Sequence, residues 1–159
     1  KDPTHVHHIP ELLSAYPNAY FVFIHRNPAA TIPSICSLSA KITSALSKQT
    51  DKKEIGESLL DYWGHAIEKG LEDRSEIPDN RIFDIQFTDF ISDPMKQVRR
   101  MYAHFGFELN QENEENMHHF LANDTANKKS THRYTLEEFG LTEKQVLERF
   151  KEYTTAFDL

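Results

Sequence analysis

The sequence predicts an α/β fold whose C-terminal section is helical. Residues 20–24 are an unbroken run of aromatic and β-branched or small apolar side chains, which is typical of a strand covered on both faces. Residues 55–74 instead repeat their apolar side chains every four positions, which is typical of an amphipathic helix. Strand and helix patterns alternate up to about residue 107, and only helical patterns follow.

The first elements are a short helix, the strand at 20–25 and a longer helix. Residues 9–15 form the short helix, with apolar side chains on one side. Asn27 and the proline after it begin the longer helix, because Asn is a favoured N-cap and the first helical position does not need the donor that proline lacks. We expect this helix to span 28–45 and to be kinked at Pro33.

The middle of the chain predicts another helix and a second strand. A polar linker at 48–53 leads into the helix at 55–74. Its apolar face carries Ile55, Leu59, Trp63, Ile67 and Leu71. Residues 78–80, with the sequence Pro-Asp-Asn, turn the chain, and the alternating pattern at 81–87 predicts a strand.

Three helices and a loop complete the chain. Pro94 begins a helix that ends at Gly106, a residue suited to the left-handed C′ position. A polar helix follows at 111–122, and residues 123–131 form a loop rich in Asn, Thr and Lys. Residues 142–145, with the sequence Thr-Glu-Lys-Gln, are a capping box that opens the last helix.

Composition and charge narrow the functional classes. The 159 residues are enough for one domain with a core, although only 38% are hydrophobic. The net charge of −7 argues against a general nucleic-acid-binding protein, which needs a basic surface. No apolar run approaches the ~20 residues that span a membrane, and no signal peptide is visible. The single cysteine, Cys36, cannot form an internal disulfide, so we expect a reducing, cytoplasmic location.

Arg26 and Ser34 are the first candidate binding residues. Arg26 follows the strand and immediately precedes the helix start, and Ser34 lies two turns into that helix. The carboxyl end of a parallel strand beside a helix N-terminus favours phosphate binding. Arg26 offers a planar fork of donors and Ser34 offers a hydroxyl. In the alternative interpretation, Arg26 pairs with a carboxylate at the sheet edge, and the pattern alone leaves both possibilities open.

The segment around Arg26 resembles the 3′-phosphate-binding motif of sulfotransferases, which use 3′-phosphoadenosine 5′-phosphosulfate (PAPS). Further segments resemble a bacterial-type branch of this family, in the same order along the chain: 1–5, 9–13, 16–19, 87–94, 101–107 and 132–141. The resemblance implies a P-loop-type parallel sheet core with flanking helices. It also implies in-line transfer of a sulfuryl group from PAPS to a hydroxyl or amine of a small-molecule, glycan or lipid acceptor.

The resemblance further implies that residues 1–159 are the C-terminal part of a single sulfotransferase domain. Residues 1–107 would be a portion of the α/β core, and 108–159 a helical tail with a basic loop. In the family a Gly- and Ser/Thr-rich loop around the 5′-phosphosulfate precedes this part, and the five glycines here form no such cluster. We therefore expect the chain alone to be inactive, and to fold well only together with the missing N-terminal segment of the same protein.

The family likeness assigns nucleotide contacts to five residues. By position in the motif, Arg26 and Ser34 would bind the 3′-phosphate. The basic loop at 128–134 occupies the place of a family loop that folds over the 3′-phosphate, with Lys129 and Arg133 as the best candidates, although such a charge run is also typical of a solvated surface. Phe87 occupies a position where the family often has an aromatic near the adenine, and core burial is its alternative role.

Catalysis is assigned to His5 and Lys1. His5 lies 21 residues before Arg26, a separation similar to that of the catalytic His in the family's cytosolic branch, so we expect it to act as general base. Lys1 would stabilise the bridging oxygen of PAPS as charge develops there. His7 and His8 are rival bases, because alternate residues of an extended segment point to opposite faces.

Other chemistries have weaker support in the sequence. There is no His-Glu-x-x-His spacing and only one thiol, so we expect no metal site. Cys36 lies beside apolar residues on a helix, as buried inert thiols do. A kinase-like phosphoryl transferase would need a Lys-bearing phosphate loop and a magnesium site, which this segment lacks. A non-catalytic nucleotide-binding or interaction fragment is the remaining alternative.

Overall fold

The structure, a computed structural model, describes residues 2–46, 50–123 and 134–159. In chain order the elements are α1 (Ile9–Ala15), β1 (Phe21–His25), α2 (Pro28–Leu46), α3 (Lys52–Asp73), β2 (Ile82–Gln86), α4 (Phe87–Ser92), α5 (Pro94–Phe105), α6 (Gln111–Asn123), α7 (Glu143–Arg149) and α8 (Lys151–Ala156). The chain divides into two units. The helical unit contains α1, α2, α3, α7 and α8, and the sheet unit contains β1, β2, α4, α5 and α6.

The core of the helical unit joins α2, α3, α7 and the segment that leads into α7. Its buried members are Ile32, Cys36, Ala40, Leu136, Phe139, Leu141, Val146 and Phe150. Four of the five apolar positions predicted for α3 pack against this core: Ile55, Leu59, Trp63 and Ile67. The four-residue period therefore marked the buried face of α3 correctly.

Small residues on α3 allow its neighbours to approach the helix backbone. A Cβ atom on Gly56 would lie 3.1 Å from the carbonyl carbon of Phe139 and would overlap the atoms beside it. Phe139 belongs to a 3₁₀ turn, Glu137–Phe139, which Gly140 closes with a φ of 67°. The turn before α7 is therefore packed directly on α3.

The sheet unit is built on two parallel strands. The register pairs Phe21 with Ile82 and His25 with Gln86. Phe83, Ile85 and Phe105 form a cluster of buried side chains in this unit. The predicted α/β class with parallel strands is thus confirmed.

One face of β1 is less covered than the sequence indicates. Val22 and Ile24 are 42% and 52% exposed, whereas the unbroken apolar run predicts burial on both faces. Within the sheet unit α4 and α5 contact β2, so the helices of this unit cover that strand.

The helices of the sheet unit follow the local signals except for α4. The Asp93 side chain accepts a hydrogen bond from the backbone N of Lys96 at 3.0 Å, and Gly106 has a φ of 69°, so α5 begins and ends as predicted. The sequence did not predict α4, because Phe87–Ser92 is rich in aromatic and β-branched residues that disfavour helices.

The last predicted helix is two helices, α7 and α8. The capping box at Thr142 and Gln145 is present as predicted. Phe150 leaves helical geometry, with φ −105° and ψ 20°, and buries its ring in the core, so the chain breaks there. Of the helices in the described residues, none has both the length and the apolar content to span a membrane.

Candidate functional site

Arg26 and Asn27 join β1 to α2. Oδ1 of Asn27 accepts a hydrogen bond from the backbone N of Ala29 at 2.8 Å, so Asn27 is the N-cap and Pro28 the first helical residue, as predicted. Arg26 is exposed and precedes the cap by one residue. Because the first turn of a helix presents backbone N–H groups and a positive dipole end, Arg26 lies at the end of α2 that attracts anions.

Ser34 is half-buried on α2 and has a partner far away in sequence. Its Oγ donates a hydrogen bond to the phenol oxygen of Tyr134 at 3.1 Å. In the sequence Tyr134 is the last residue of the predicted basic loop at 128–134. Lys129 and Arg133, the two loop residues predicted to bind phosphate, lie outside the described residues. The structure therefore places the last residue of this loop beside one of the two residues of the Arg26 motif.

Tyr134 is held in place by the segment that follows it. Its ring packs against the core of the helical unit, and Leu136 and Phe139 are buried, at 8% and 2% exposure. The backbone N of Leu141 donates to the carbonyl oxygen of Leu136 at 3.0 Å, which closes the turn. The phenol thus projects from an anchored piece of chain.

His5 lies on a 3₁₀ turn, Pro3–His7, and its side chain is exposed. The turn is capped by Asp2, whose carboxylate accepts a hydrogen bond from the backbone N of Thr4 at 2.8 Å. Hydrogen bonds from the hydroxyl and the backbone N–H of Thr4 lower the pKa of Asp2. Lys1 lies outside the described residues, so its predicted role remains a prediction.

The same turn packs on α3 through Val6 and His7. A Cβ atom on Gly70 would overlap Cγ2 of Val6 and lie 3.3 Å from its carbonyl oxygen. The His7 ring lies 4.8 Å from that of Tyr62 and 6.0 Å from that of Trp63, centroid to centroid. Within the described part of the chain, the buried Nε2 of His7 and Nε1 of Trp63 make no hydrogen bond.

The three histidines of this segment therefore have different surroundings. His5 is exposed, whereas the Nε2 atom of His7 is shielded from solvent. Nδ1 of His8 lies 3.9 Å from a carboxylate oxygen of Glu11. Of the three, only His7 has a ring nitrogen shielded from solvent, whereas His5 and His8 are both exposed.

Two other features lie apart from these residues. Cys36 is buried, and burial raises its thiol pKa to about 11, so the thiol stays protonated and unreactive near neutrality. A groove of about 830 Å³ lies between α3 and the α7–α8 segment, and its walls contain none of the predicted site residues. No three His, Cys, Asp or Glu side chains cluster as metal ligands in the described residues.

Comparison with known proteins decides the family. The profile described as "Sulfotransferase family" matches residues 1–112, well over half of the chain. The chain belongs to the sulfotransferase family.

Curated relatives and solved structures point the same way. Two mycobacterial proteins, both named omega-hydroxy-beta-dihydromenaquinone-9 sulfotransferase, from Mycobacterium bovis and Mycobacterium tuberculosis, are 24% identical over 154 residues. The match covers 94% of this chain and 40% of each relative. Sulfotransferase STF9 from Mycobacterium avium superimposes with a TM-score of 0.88 at 30% identity, over all of this chain and 41% of that one. STF1 from Mycobacterium tuberculosis gives 0.82 at 30% identity, over 96% and 38%. The chain spans about two fifths of the length of these relatives.

Of the predicted nucleotide residues that the structure describes, two belong to the helical unit and one to the sheet unit. Arg26 and Ser34 lie in the helical unit, whereas Phe87 is the half-buried first residue of α4 in the sheet unit. The sequence analysis chose Lys129 and Arg133 from the basic loop and did not single out Tyr134, although its place at the end of that loop, two residues before apolar Leu136, was a usable signal. It also gave no role to His25, which the structure pairs with Asp84.

Proposed function

We propose that this sulfotransferase transfers a sulfuryl group from PAPS to an acceptor by in-line displacement. The acceptor oxygen or nitrogen attacks sulfur while the bond from sulfur to the bridging phosphate oxygen breaks, and adenosine 3′,5′-bisphosphate leaves. The proposal is supported by the family match and by the donors gathered at the start of α2. The family match also favours sulfuryl transfer over the kinase-like alternative.

The 3′-phosphate of the nucleotide would bind at Arg26 and Ser34. The single observation that most supports this site is the hydrogen bond from Ser34 to Tyr134, because Tyr134, the last residue of the basic loop, then lies beside the helix of the Arg26 motif. A guanidinium, a hydroxyl and a helix N-terminus are a donor set suited to a phosphate dianion. Lys129 and Arg133 would add charge from the loop, and Phe87 would stack on adenine.

The proton of the attacking group would pass to His5. The exposed imidazole of His5 favours this role over His7, whose Nε2 is shielded, and its separation of 21 residues from Arg26 favours it over His8. Lys1 would stabilise the negative charge that develops on the bridging oxygen. His5 would thus act on the attacking group and Lys1 on the leaving group.

The acceptor is proposed to carry a hydroxyl group on a lipid. The two curated relatives are named for a hydroxylated dihydromenaquinone, and transfer of that chemistry to this chain is part of the proposal. An amine acceptor is the alternative within the same reaction. A cytoplasmic location also belongs to the proposal, because the one cysteine is a free thiol, which suits a reducing compartment.

We further propose that residues 1–159 are the C-terminal part of one sulfotransferase domain and supply the 3′-phosphate half of the nucleotide site. The five glycines of the chain form no phosphate-cradling cluster, so the loop for the 5′-phosphosulfate would come from another segment of the full-length protein. On this basis residues 1–159 alone would be inactive. The chain's coverage of two fifths of its relatives supports this division.

Calorimetric titration with adenosine 3′,5′-bisphosphate and with adenosine 5′-phosphate tests the site. The full-length protein should prefer the bisphosphate, and Arg26→Ala should reduce that preference by about 10-fold or more, since a hydrogen bond to a charged group contributes about 1.5–3 kcal/mol. Arg26→Lys is the matched control, because it retains the charge and loses the planar fork. Equal affinity of the wild-type protein for both nucleotides would refute the proposed function.

A further inference from the structure

The hydroxyl groups of Ser34 and Tyr134 form a donor pair. Ser34 Oγ donates to the phenol oxygen at 3.1 Å, so the phenol proton is left for a second acceptor. Both groups belong to half-buried side chains of the helical unit. An anion that approaches Ser34 therefore meets two O–H donors rather than one.

We propose that Tyr134 is a further ligand of the 3′-phosphate, an inference that rests on the proposed function. A phosphate oxygen bound by Ser34 would lie about 2.5–3.0 Å from Oγ, as O–H···O hydrogen bonds do. The phenol oxygen is 3.1 Å from that same Oγ, so it lies within reach of a neighbouring oxygen of the same phosphate. On binding, the serine proton turns from the phenol to the anion, and the phenol proton donates to a second oxygen.

The Tyr134 side chain is already held in a fixed position by its surroundings. The tyrosine ring packs against the core, and the turn after it is anchored by buried Leu136 and Phe139. A donor that is already fixed loses little conformational entropy when its ligand binds. Tyr134 can therefore donate without a movement of the backbone.

The consequence is specificity for nucleotides that carry a 3′-phosphate. Adenosine 5′-phosphate has a 3′-hydroxyl in place of the charged group and gains less from the phenol donor. Tyr134 should therefore contribute to the preference for the bisphosphate and not to affinity for nucleotides in general.

Titration of the full-length protein and its variants with both nucleotides tests the inference. Tyr134→Phe keeps the ring and removes only the hydroxyl. We expect it to weaken binding of adenosine 3′,5′-bisphosphate by about 10-fold, the lower end for a lost hydrogen bond to a charged group. Binding of adenosine 5′-phosphate should be unchanged. Tyr153→Phe, at a half-buried tyrosine on α8, is the matched control and should bind both nucleotides as the wild type does.

The same titration in a Ser34→Ala background distinguishes direct binding of the phosphate by Tyr134 from an indirect role in which Tyr134 only positions Ser34. If Tyr134 contacts the phosphate itself, its hydroxyl still matters when Ser34 is absent, and Tyr134→Phe weakens binding again. If the loss disappears in that background, Tyr134 acts only by holding Ser34, and the inference is overturned. An equal loss for both nucleotides overturns it as well. A wild-type protein that does not prefer the bisphosphate refutes the proposed function, whereas a preference that Tyr134→Phe leaves intact refutes only the role of Tyr134.

Discussion

Nε2 of His25 donates a hydrogen bond to Oδ1 of Asp84 at 2.7 Å, across the two strands of the sheet unit. The His25 side chain is 5% exposed and that of Asp84 37%. In the register Asp84 lies opposite Phe23, which shares a face of β1 with His25 because side chains two residues apart point the same way. The bond therefore ties the strands together at the residue that precedes Arg26.

Replacement of Asp84 by alanine should destabilise the protein. It removes the carboxylate from a buried imidazole, and a buried polar group that loses its partner costs about 1–3 kcal/mol. Urea unfolding of the full-length protein measures the loss of unfolding free energy. Asp84→Asn is the matched control: its amide oxygen still accepts from His25, so most of the stability should return. Equal stability of the alanine variant and the wild type would contradict the prediction.

Replacement of His5 by alanine should abolish most turnover without weakening nucleotide binding. Loss of a general base lowers rates by about 100- to 10,000-fold, and His5 lies on an exposed turn away from the core. Turnover with PAPS and a hydroxyl acceptor, together with titration by adenosine 3′,5′-bisphosphate, measures both effects.

His8→Ala controls for the loss of an imidazole from the same segment. His8 is exposed like His5, but it faces Glu11, so its replacement should leave turnover near that of the wild type. If His5→Ala retains full turnover, or if His8→Ala loses it instead, the assignment of the base to His5 is wrong.

The elements that the sequence predicted well are those with local signals. Asn27 caps α2, Gly106 ends α5 and Thr142 opens α7, because each bonds to backbone within a few residues. The helix α4 was missed because Phe87–Ser92 has poor helix propensity and forms where it packs against β2 and α5. Its existence depends on contacts that no local pattern encodes.

The residues of the candidate site likewise differ in whether a local sequence pattern could predict them. Arg26 and Ser34 follow from one short motif and its position at a helix start. Tyr134 lies 100 residues from Ser34, so its place at the site depends on how the segment before α7 packs on α3. The sequence could identify the basic loop that ends at Tyr134, but only the fold could bring Tyr134 to Ser34.

Gly70→Ala should destabilise the protein and lower turnover. In an exposed helix the same change would stabilise by about 0.5–1 kcal/mol through helix propensity, so the sign of the effect is informative. At this position the added Cβ overlaps Val6 and must displace the turn that carries His5. Thermal unfolding and kcat should both fall, while affinity for adenosine 3′,5′-bisphosphate stays the same.

Val6→Ala provides the compensating change for Gly70→Ala. It removes Cγ2, the atom that the new Cβ would overlap, so the double variant should recover part of the lost stability and turnover. If Gly70→Ala alone stabilises the protein, helix propensity outweighs the contact and the turn is not held by Gly70.

Glu68→Gln on α3 should destabilise the protein at neutral pH but not in acid. Arg149 on α7 hydrogen-bonds the Glu68 carboxylate, with Nη2 3.1 Å from Oε2, and these hydrogen bonds lower the pKa of Glu68 below its ordinary 4.5. A carboxyl group whose pKa is lower in the folded state stabilises the fold above its ordinary pKa, and this stabilisation is lost as the pH falls through the folded-state value. Glu68→Gln cannot titrate, so the gap in unfolding free energy between wild type and variant should be largest near pH 7 and should close as the pH falls from 4.5 downward.

Glu72→Gln, an exposed position on the same helix, is the control: its gap in unfolding free energy from the wild type should not close as the pH falls. A gap between wild type and Glu68→Gln that stays constant with pH would mean that the pair contributes through packing and not through charge.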